Sequence, residues 1–295
     1  NKDILLVPAM NVRMWLHKAT QKNVKILQDY GYLFLGPEKG EMACGEYGEG
    51  KMSSPRQIFS YMNNYFNKRN ILKSKNFTAL VTTGPTREYI DPVRYISNES
   101  SGKQGQEIAE ALSKLGIKTT LITGPTNLIS KKEIKIKRIV SAEEMFEVVK
   151  KCLPVDIAIC SAAVSDFKPM RKSKNKISKN NSKFKSLKLE KNRDIAEYLG
   201  KNNKYRPSLV VGFAAESDNL DKNAIAKLRQ KNCDLIVAND ISKKDSGFNS
   251  DFNRVSIFDN SGKIKVIKKN KKSFIANAIV EIILDKLFVD DRSFN

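Results

Sequence analysis

Three stretches of the 295-residue chain combine glycine, hydroxyl and charged residues in a way suited to holding an anion. The first runs from Thr83-Gly-Pro-Thr-Arg87 through Asp91-Pro-Val-Arg-Tyr-Ile-Ser-Asn98 to Ser100-Ser-Gly-Lys103. Gly84 lets the backbone approach a ligand closely. Ser101 and Gly102 open a helix whose first N–H groups lack intrahelical partners, a natural phosphate site. A long βα loop with an ordinary N-cap accounts for the same residues without a ligand. The stretch is neither GxGxxG nor a Walker A loop, so dinucleotide and P-loop chemistry is not expected. The second, Ser161-Ala-Ala-Val-Ser-Asp166, sets small residues and then a carboxylate at the end of an apolar run. Asp166 can face a ribose or a metal, or cap a helix. Charged residues from Phe167 to Glu190 follow and are expected to be mobile; among them Lys176 reads either as one solvated lysine of many or as a lid over a polyphosphate. The third, Gly212-Phe-Ala-Ala-Glu-Ser217, precedes a helix carrying Lys227 and Lys231. Four residues apart, these lysines share a face and repel unless an anion or acid sits nearby; mutual solvation is the simpler reading.

The elements that must position these turns follow from hydrophobic periodicity. Strand-like runs are expected at 77–83, 117–123, 155–163, 208–214 and 234–238, and amphipathic helices at 102–115, 142–151, 193–199, 220–230 and 272–287. Ser141 with Glu144 forms a capping box for the second helix. Short, continuously apolar strands alternating with helices specify an α/β, doubly wound, mostly parallel sheet covered on both faces. Residues 254–259 and 264–268, joined through Asn260-Ser-Gly262, read as an edge hairpin. In such sheets ligands bind beyond the carboxyl ends of the strands, which is where the three stretches lie. The polar residues from Asn63 to Lys75 set a domain boundary, giving an N-terminal block 1–75 and a second domain 76–295. The first block opens in a strand-like run, Asp3-Ile-Leu-Leu-Val7, so the N-terminus is expected to be truncated.

Composition narrows the classes further. The net charge is +21, but the excess is spread along nearly the whole chain, as at Lys131–Lys132, Lys150–Lys151 and 268–272, so a nucleic-acid partner is not expected. No apolar run approaches the roughly 18–20 residues of a membrane span, and a cytoplasmic location with no membrane partner is expected. The four cysteines form no CxxC pair, so neither a zinc knuckle nor a disulfide framework is indicated.

The motifs Thr83-Gly-Pro-Thr-Arg-Glu, Asp91-Pro-Val-Arg-Tyr-Ile-Ser-Asn98, Ser100-Ser-Gly-Lys, Gly212-Phe-Ala-Ala-Glu, Ala238-Asn-Asp240 and Gly247-Phe-Asn-Ser-Asp251 occur in the order seen in bacterial phosphopantothenate–cysteine ligases, which the chain resembles over about residues 77–288. The resemblance implies a Rossmann-like ligase domain acting in coenzyme A biosynthesis on 4'-phosphopantothenate, L-cysteine and CTP. The carboxylate attacks the α-phosphate of CTP, and cysteine then displaces CMP from the acyl-cytidylate. By the same resemblance CTP contacts fall on Ser161, Ala162, Asp166, Lys176, Arg193, Asp194, Ile195, Ala196, Phe213, Lys227 and Lys231. Asn98 handles the acyl-cytidylate with Arg94 beside it, Lys176 is the lid lysine, and magnesium rides on the triphosphate with Asp166 as a ligand. Arg193 departs from the family, whose members often carry Pro there. Relatives form oligomers, so a homo-oligomer is expected, a dimer through the ligase domain.

The first block is similar to the end of the family's FMN-dependent, flavodoxin-like decarboxylase. Pro8-Ala-Met-Asn11 with Met14-Trp15 resembles its PxMNxxMW motif, and Ala43-Cys-Gly-Glu46 with Gly48-Glu-Gly-Lys-Met52 resembles its substrate clamp. The resemblance implies that Met10 contacts the cofactor, Asn11 binds the substrate carboxylate, and Cys44 donates a proton. His17, the sole histidine, does not match the family's catalytic histidine. The FMN phosphate segment is expected upstream, and this polypeptide is expected to lack decarboxylase activity on its own.

Overall fold

The computed structural model describes residues 3–129, 133–178, 186–202, 204–240 and 250–290. The chain divides after Ile71 into two compact units. The first contains β1 (Leu5–Leu6), α1 (Val12–Leu16), α2 (Lys18–Asp29), β2 (Leu33–Phe34), β3 (Glu38–Glu41) and β4 (Tyr47–Lys51), and α3 (Pro55–Lys75) spans the division. The polar residues 63–75, read from sequence as a boundary segment, are thus helical. In this unit β1 pairs in parallel with β2, and β3 and β4 form an antiparallel hairpin.

The second unit runs β5 (Thr78–Thr83), β6 (Arg87–Tyr89), β7 (Tyr95–Ser97), α4 (Lys103–Lys114), β8 (Lys118–Thr123), β9 (Lys135–Arg138), α5 (Ala142–Cys152), β10 (Ile157–Cys160), β11 (Phe167–Pro169), β12 (Leu189–Lys191), α6 (Ile195–Lys201), β13 (Leu209–Glu216), α7 (Leu220–Lys231), β14 (Leu235–Asp240), β15 (Phe252–Asp259), β16 (Gly262–Lys271) and α8 (Lys272–Asp290). Among the described residues one sheet has eight strands in the order β16-β15-β14-β13-β10-β5-β8-β9. Neighbours from β14 through β9 are parallel, and β15 and β16 close one edge as an antiparallel hairpin. The doubly wound sheet and edge hairpin expected from sequence are both present.

The central strands β5, β10, β13 and β14 are largely apolar because helices cover both faces of the sheet. Leu80, Ile122, Ala158, Val210 and Ile236 point to one face, where they meet Met145, Phe146 and Val149 of α5, Leu199 of α6 and Leu228 of α7. On the other face α4 and α8 pack against each other. Ile108, Leu112, Ile275, Ile279 and Ile283 are buried there at helical spacing. The capping box is formed: Ser141 Oγ accepts from the Glu144 N–H at 3.2 Å, while Glu144 Oε2 reaches back to the Val140 N–H at 2.7 Å.

Several elements were not read from the sequence. The βα connection after β5 contains the β6–β7 hairpin. Within residues 167–190, expected as mobile, β11 pairs with β12; residues 179–185 lie outside the described residues. So do residues 247–249 of the Gly247–Asp251 motif.

Candidate active site

The carboxyl ends of the parallel strands are drawn together by side chains that continue strand pairing past the regular sheet. Ser161 Oγ donates to the Thr82 carbonyl at 2.6 Å, and Thr83 Oγ1 donates to the Gly102 carbonyl at 2.7 Å. Thr86, wholly buried, accepts the Ser165 N–H at 3.0 Å. Gly84 has φ +74°, and Gly105 brings α4 so close that a Cβ there would sit 2.3 Å from Ser161 Oγ. These contacts open a cavity of about 950 Å³ beyond the strand ends, large enough for a nucleotide with a second substrate.

Most of the residues singled out in the sequence line this cavity: Asn98, Ser101, Gly102, Ser161, Ala162, Asp166, the segment 193–196, Phe213, Lys227 and Lys231. Asn98 Nδ2 donates to the Val164 carbonyl at 3.0 Å, which fixes the amide at the rim. Gly102 is the N-cap of α4, in left-handed conformation, with no side-chain cap and no acidic residue in the first turn. That leaves the positive end of the helix directed at the cavity. The carboxylate of Asp166 is exposed and, among the described residues, makes no hydrogen bond or ion pair. Asp166 caps no helix; it leads into β11.

The two lysines of α7 are neutralised by acids, which overturns the reading that they are merely solvated. Lys227 Nζ lies 2.7 Å from Glu216 Oε1, and Lys231 Nζ lies 2.9 Å from Asp194 Oδ2. Burial pulls the Lys231 pKa down, but the Asp194 hydrogen bond and charge outweigh it and raise it above the ordinary lysine value. Asp194 also caps α6 through the Glu197 N–H at 3.0 Å. Arg193 turns its guanidinium to Glu143 at 2.5 Å and over the Phe146 ring at 4.3 Å, so it serves α5 with its side chain. Beneath the cavity, burial pushes the Cys160 thiol up, and the Cys233 thiol up to about 12. Both are packing residues rather than nucleophiles.

Of the candidates in the second unit, three do not line the cavity: Gly84, Arg94 and Lys176. Gly84 shapes it from behind. Arg94 and Ile177, the residue after Lys176, instead meet around Asp91, a carboxylate with no solvent exposure. Asp91 accepts the N–H groups of Val93 and Arg94, each at 2.8 Å, and that of Ile177 at 3.2 Å. Arg94 Nη1 lies 3.5 Å from Asp91, and its Nη2 donates to the Ile177 carbonyl at 3.3 Å. The Ser173 N–H donates to the Ile90 carbonyl at 2.9 Å. Burial raises the Asp91 pKa, but the three N–H donors and the Arg94 charge outweigh it and hold it below the carboxylate range. The hairpin β6–β7 therefore anchors the segment that carries Lys176, although Lys176 itself is exposed. Sequence reasoning missed Lys103, Asn239, Asn253 and Lys272, which also line the cavity. Lys103, Asn239 and Asn253 were signalled only by inclusion in or nearness to the motifs Ser100–Lys103, Ala238–Asp240 and Gly247–Asp251, and Lys272 only as the end of the basic run 268–272.

In the first unit the β3–β4 turn that carries Cys44 is tied to the start of α1. The Met10 N–H donates to the Gly50 carbonyl at 3.0 Å, Trp15 Nε1 to Glu49 at 3.3 Å, and Arg13 pairs with Glu46 at 3.4 Å. Asn11 caps α1 by accepting the Met14 N–H at 2.8 Å, so its Nδ2 is the atom left to meet a ligand. Cys44 is exposed.

A family model for the DNA/pantothenate metabolism flavoprotein C-terminal domain matches residues 74–287, and a flavoprotein model matches residues 1–67. The chain is 42% identical to the coenzyme A biosynthesis bifunctional protein of Haemophilus influenzae, over 96% of this chain and 70% of that protein. It is 38% identical to its counterpart in Escherichia coli over 96% of this chain and 70% of that protein. The crystal structure of the C-terminal domain of a coenzyme A biosynthesis bifunctional protein superposes with TM-score 0.60 at 34% identity, covering 72% of this chain and 95% of that one. No helix among the described residues is long and apolar enough to cross a membrane. The order of the strand-end motifs, the sheet that gathers them and these matches together place the chain in the family of bifunctional coenzyme A biosynthesis proteins.

Proposed function

We propose that the second unit is a CTP-dependent phosphopantothenate–cysteine ligase acting in coenzyme A biosynthesis. The observation that carries this reading is one cavity holding Asn98 of the connection from β5 to α4, Asp166 of the connection after β10, Phe213 of β13 and Lys227 of α7. A carboxylate is a poor acyl donor, so its oxygen first attacks the α-phosphorus of CTP, releasing pyrophosphate and leaving an acyl-cytidylate. The amine of cysteine then attacks the acyl carbon, loses a proton and expels CMP, forming the amide. Both steps build negative charge beside fixed donors, which is where pre-oriented N–H groups and cations accelerate reaction most. Here the open first turn of α4, Lys227 and Lys231 supply them, and Asn98 holds the acyl group at the rim. Magnesium fits this site, because it commonly takes one or two carboxylates with substrate phosphates and water. Asp166 offers such an unpaired carboxylate, and the ion would neutralise the triphosphate.

Residues 1–71 fit the substrate side of an FMN-dependent decarboxylase, with Asn11 Nδ2 for the substrate carboxylate and Cys44 as proton donor. FMN, when bound, would supply the oxidation that precedes loss of carbon dioxide. Met10 is the residue of this unit assigned to the flavin side. A homo-oligomer and a cytoplasmic location belong to the same reading. The test is release of pyrophosphate and CMP from CTP by folded protein, dependent on 4'-phosphopantothenate and, for CMP, on cysteine. Absence of both products refutes the ligase reading.

A further inference from the structure

The two lysines that α7 offers to the cavity are held in different ways. Lys231 pairs with Asp194, a carboxylate that itself lines the cavity and is 37% exposed. Lys227 also lines the cavity, but its partner Glu216 does not, and the Glu216 side chain is only 8% exposed. A carboxylate placed that deeply needs donors on its oxygens. Lys227 Nζ meets Oε1 at 2.7 Å, and Asn223 Nδ2 donates to Oε2 at 3.0 Å. Asn223 and Lys227 stand four residues apart on α7, so both reach the carboxylate from one helix face. Asn223 Nδ2 also donates to the Asp218 carbonyl at 3.1 Å, which ties the pair to the turn that enters α7. The backbone of Glu216 is fixed as well, because β13 pairs with β14 through to Glu216 and Asp240. Glu216 closes the Gly212–Glu216 motif, and the chemistry proposed above gives it no part.

We propose that Glu216 is a positioning residue that holds the Lys227 ammonium where a triphosphate meets it, and that Asn223 holds Glu216. The inference rests on the ligase reading, in which Lys227 meets the phosphates of CTP. An ammonium has three N–H donors; one goes to Glu216, and two remain for phosphate oxygens in the cavity. An untethered lysine samples many rotamers and loses them only when the nucleotide binds. Lys227 is instead ordered by folding. The Glu216 charge opposes the phosphates, while its hydrogen bond orients the lysine that receives them. Removing the carboxylate therefore has opposite effects on two quantities: loss of the charge favours nucleotide affinity, and loss of the orientation slows attack on the α-phosphorus.

Glutamine in place of Glu216 keeps the size but offers one carbonyl to two donors, so Lys227 or Asn223 is released. The test compares E216Q, K227Q and the double variant E216Q/K227Q, with folding verified by circular dichroism. Calorimetry gives the Kd for CTP in magnesium buffer, and single-turnover release of pyrophosphate in the presence of 4'-phosphopantothenate gives the rate. E216Q should bind CTP within about threefold of wild type and release pyrophosphate about tenfold to a hundredfold more slowly. The double variant should be no slower than K227Q, because Glu216 acts through Lys227. Release by E216Q within about twofold of wild type overturns the proposal. So does a double variant slowed by the product of the two single losses, the result for a residue that merely supports the fold. Should E216Q fail to fold, N223A takes its place: Asn223 is half-buried near the start of α7, where alanine is a good helix former. It should give a smaller loss of rate that likewise vanishes in the K227Q background, and a full loss persisting there overturns the proposal. Wild-type protein that releases no pyrophosphate refutes the ligase reading itself, whereas active wild type with additive variants removes only Glu216.

Discussion

Gly105 gives the sharpest test of how the cavity is built. An added Cβ would lie 2.3 Å from Ser161 Oγ, 2.4 Å from Thr83 Oγ1 and 2.6 Å from Thr83 Cβ. Neither hydroxyl can swing away freely, because each is bonded to a carbonyl that helps close the strand ends. Relief therefore requires α4 to retreat by about 1 Å to restore ordinary contact. Overpacking of this kind costs roughly 1–3 kcal/mol, and alanine in place of glycine within a helix returns about 1 kcal/mol. The net loss is about 1 kcal/mol, which lowers Tm by roughly 2–4 °C in a unit of this size. Activity should fall much further, since a misplacement of about 1 Å can cost on the order of a hundredfold, and the displaced turn is the one facing the cavity. Differential scanning fluorimetry and CMP release on G105A measure the two effects side by side. A variant with wild-type Tm and turnover within about twofold of wild type refutes the argument that α4 is held in register by this glycine.

Other outcomes follow from the same geometry. D91N should lower Tm at neutral pH and slow acyl-cytidylate formation, because one carboxylate oxygen that accepts the Ile177 N–H is lost or turned. The Asp91 pKa is depressed in the folded protein, so its contribution is complete above the unfolded value of about 3.9 and disappears as pH falls through the lower folded value. The gap between D91N and wild type should therefore close on acidification below about pH 4, and a constant gap down to pH 2 would contradict it. K176A should slow pyrophosphate release without altering Tm, since an exposed side chain contributes little packing; unchanged turnover removes Lys176 from the mechanism. N98D replaces the donor that meets the Val164 carbonyl with an acceptor, and should cut amide yield by about tenfold or more, read as acyl-cytidylate accumulating without cysteine consumption.

The parallel sheet was legible because its strands are covered on both faces and so read as unbroken apolar runs, as at Leu209–Val211 and Leu235–Val237. The α5 cap was legible because Ser141 and Glu144 act locally. The β6–β7 hairpin was not, because its strands are only three residues each and part of what holds the Asp91 turn, the Ile177 N–H, is remote in sequence. Lys227 and Lys231 looked solvated because Glu216 and Asp194 reach them from other elements. Phe213, Asp166 and Asn98 could be placed at strand ends by topology, and they do share a cavity. Lys272 could not, since only the return of the β15–β16 hairpin carries the start of α8 back to that cavity. β9 was missed because Lys135-Ile-Lys-Arg138 is mostly charged, and its pairing with β8 rather than its composition makes it a strand.

The outer strands of the eight-stranded sheet are β16 and β9, and both are rich in basic side chains: Lys263, Lys265, Lys268, Lys269 and Lys271 on one, Lys135, Lys137 and Arg138 on the other. A bare strand edge is a template on which another chain can add, and like charge is a common way to forbid it. The surplus of lysine thus acquires a mechanical meaning that no ligand supplies: copies of this sheet repel one another along the directions in which they could otherwise zip together. Acetylating those amines, or crowding the protein with polyanions, would remove that guard and invite ribbon-like association through the two margins.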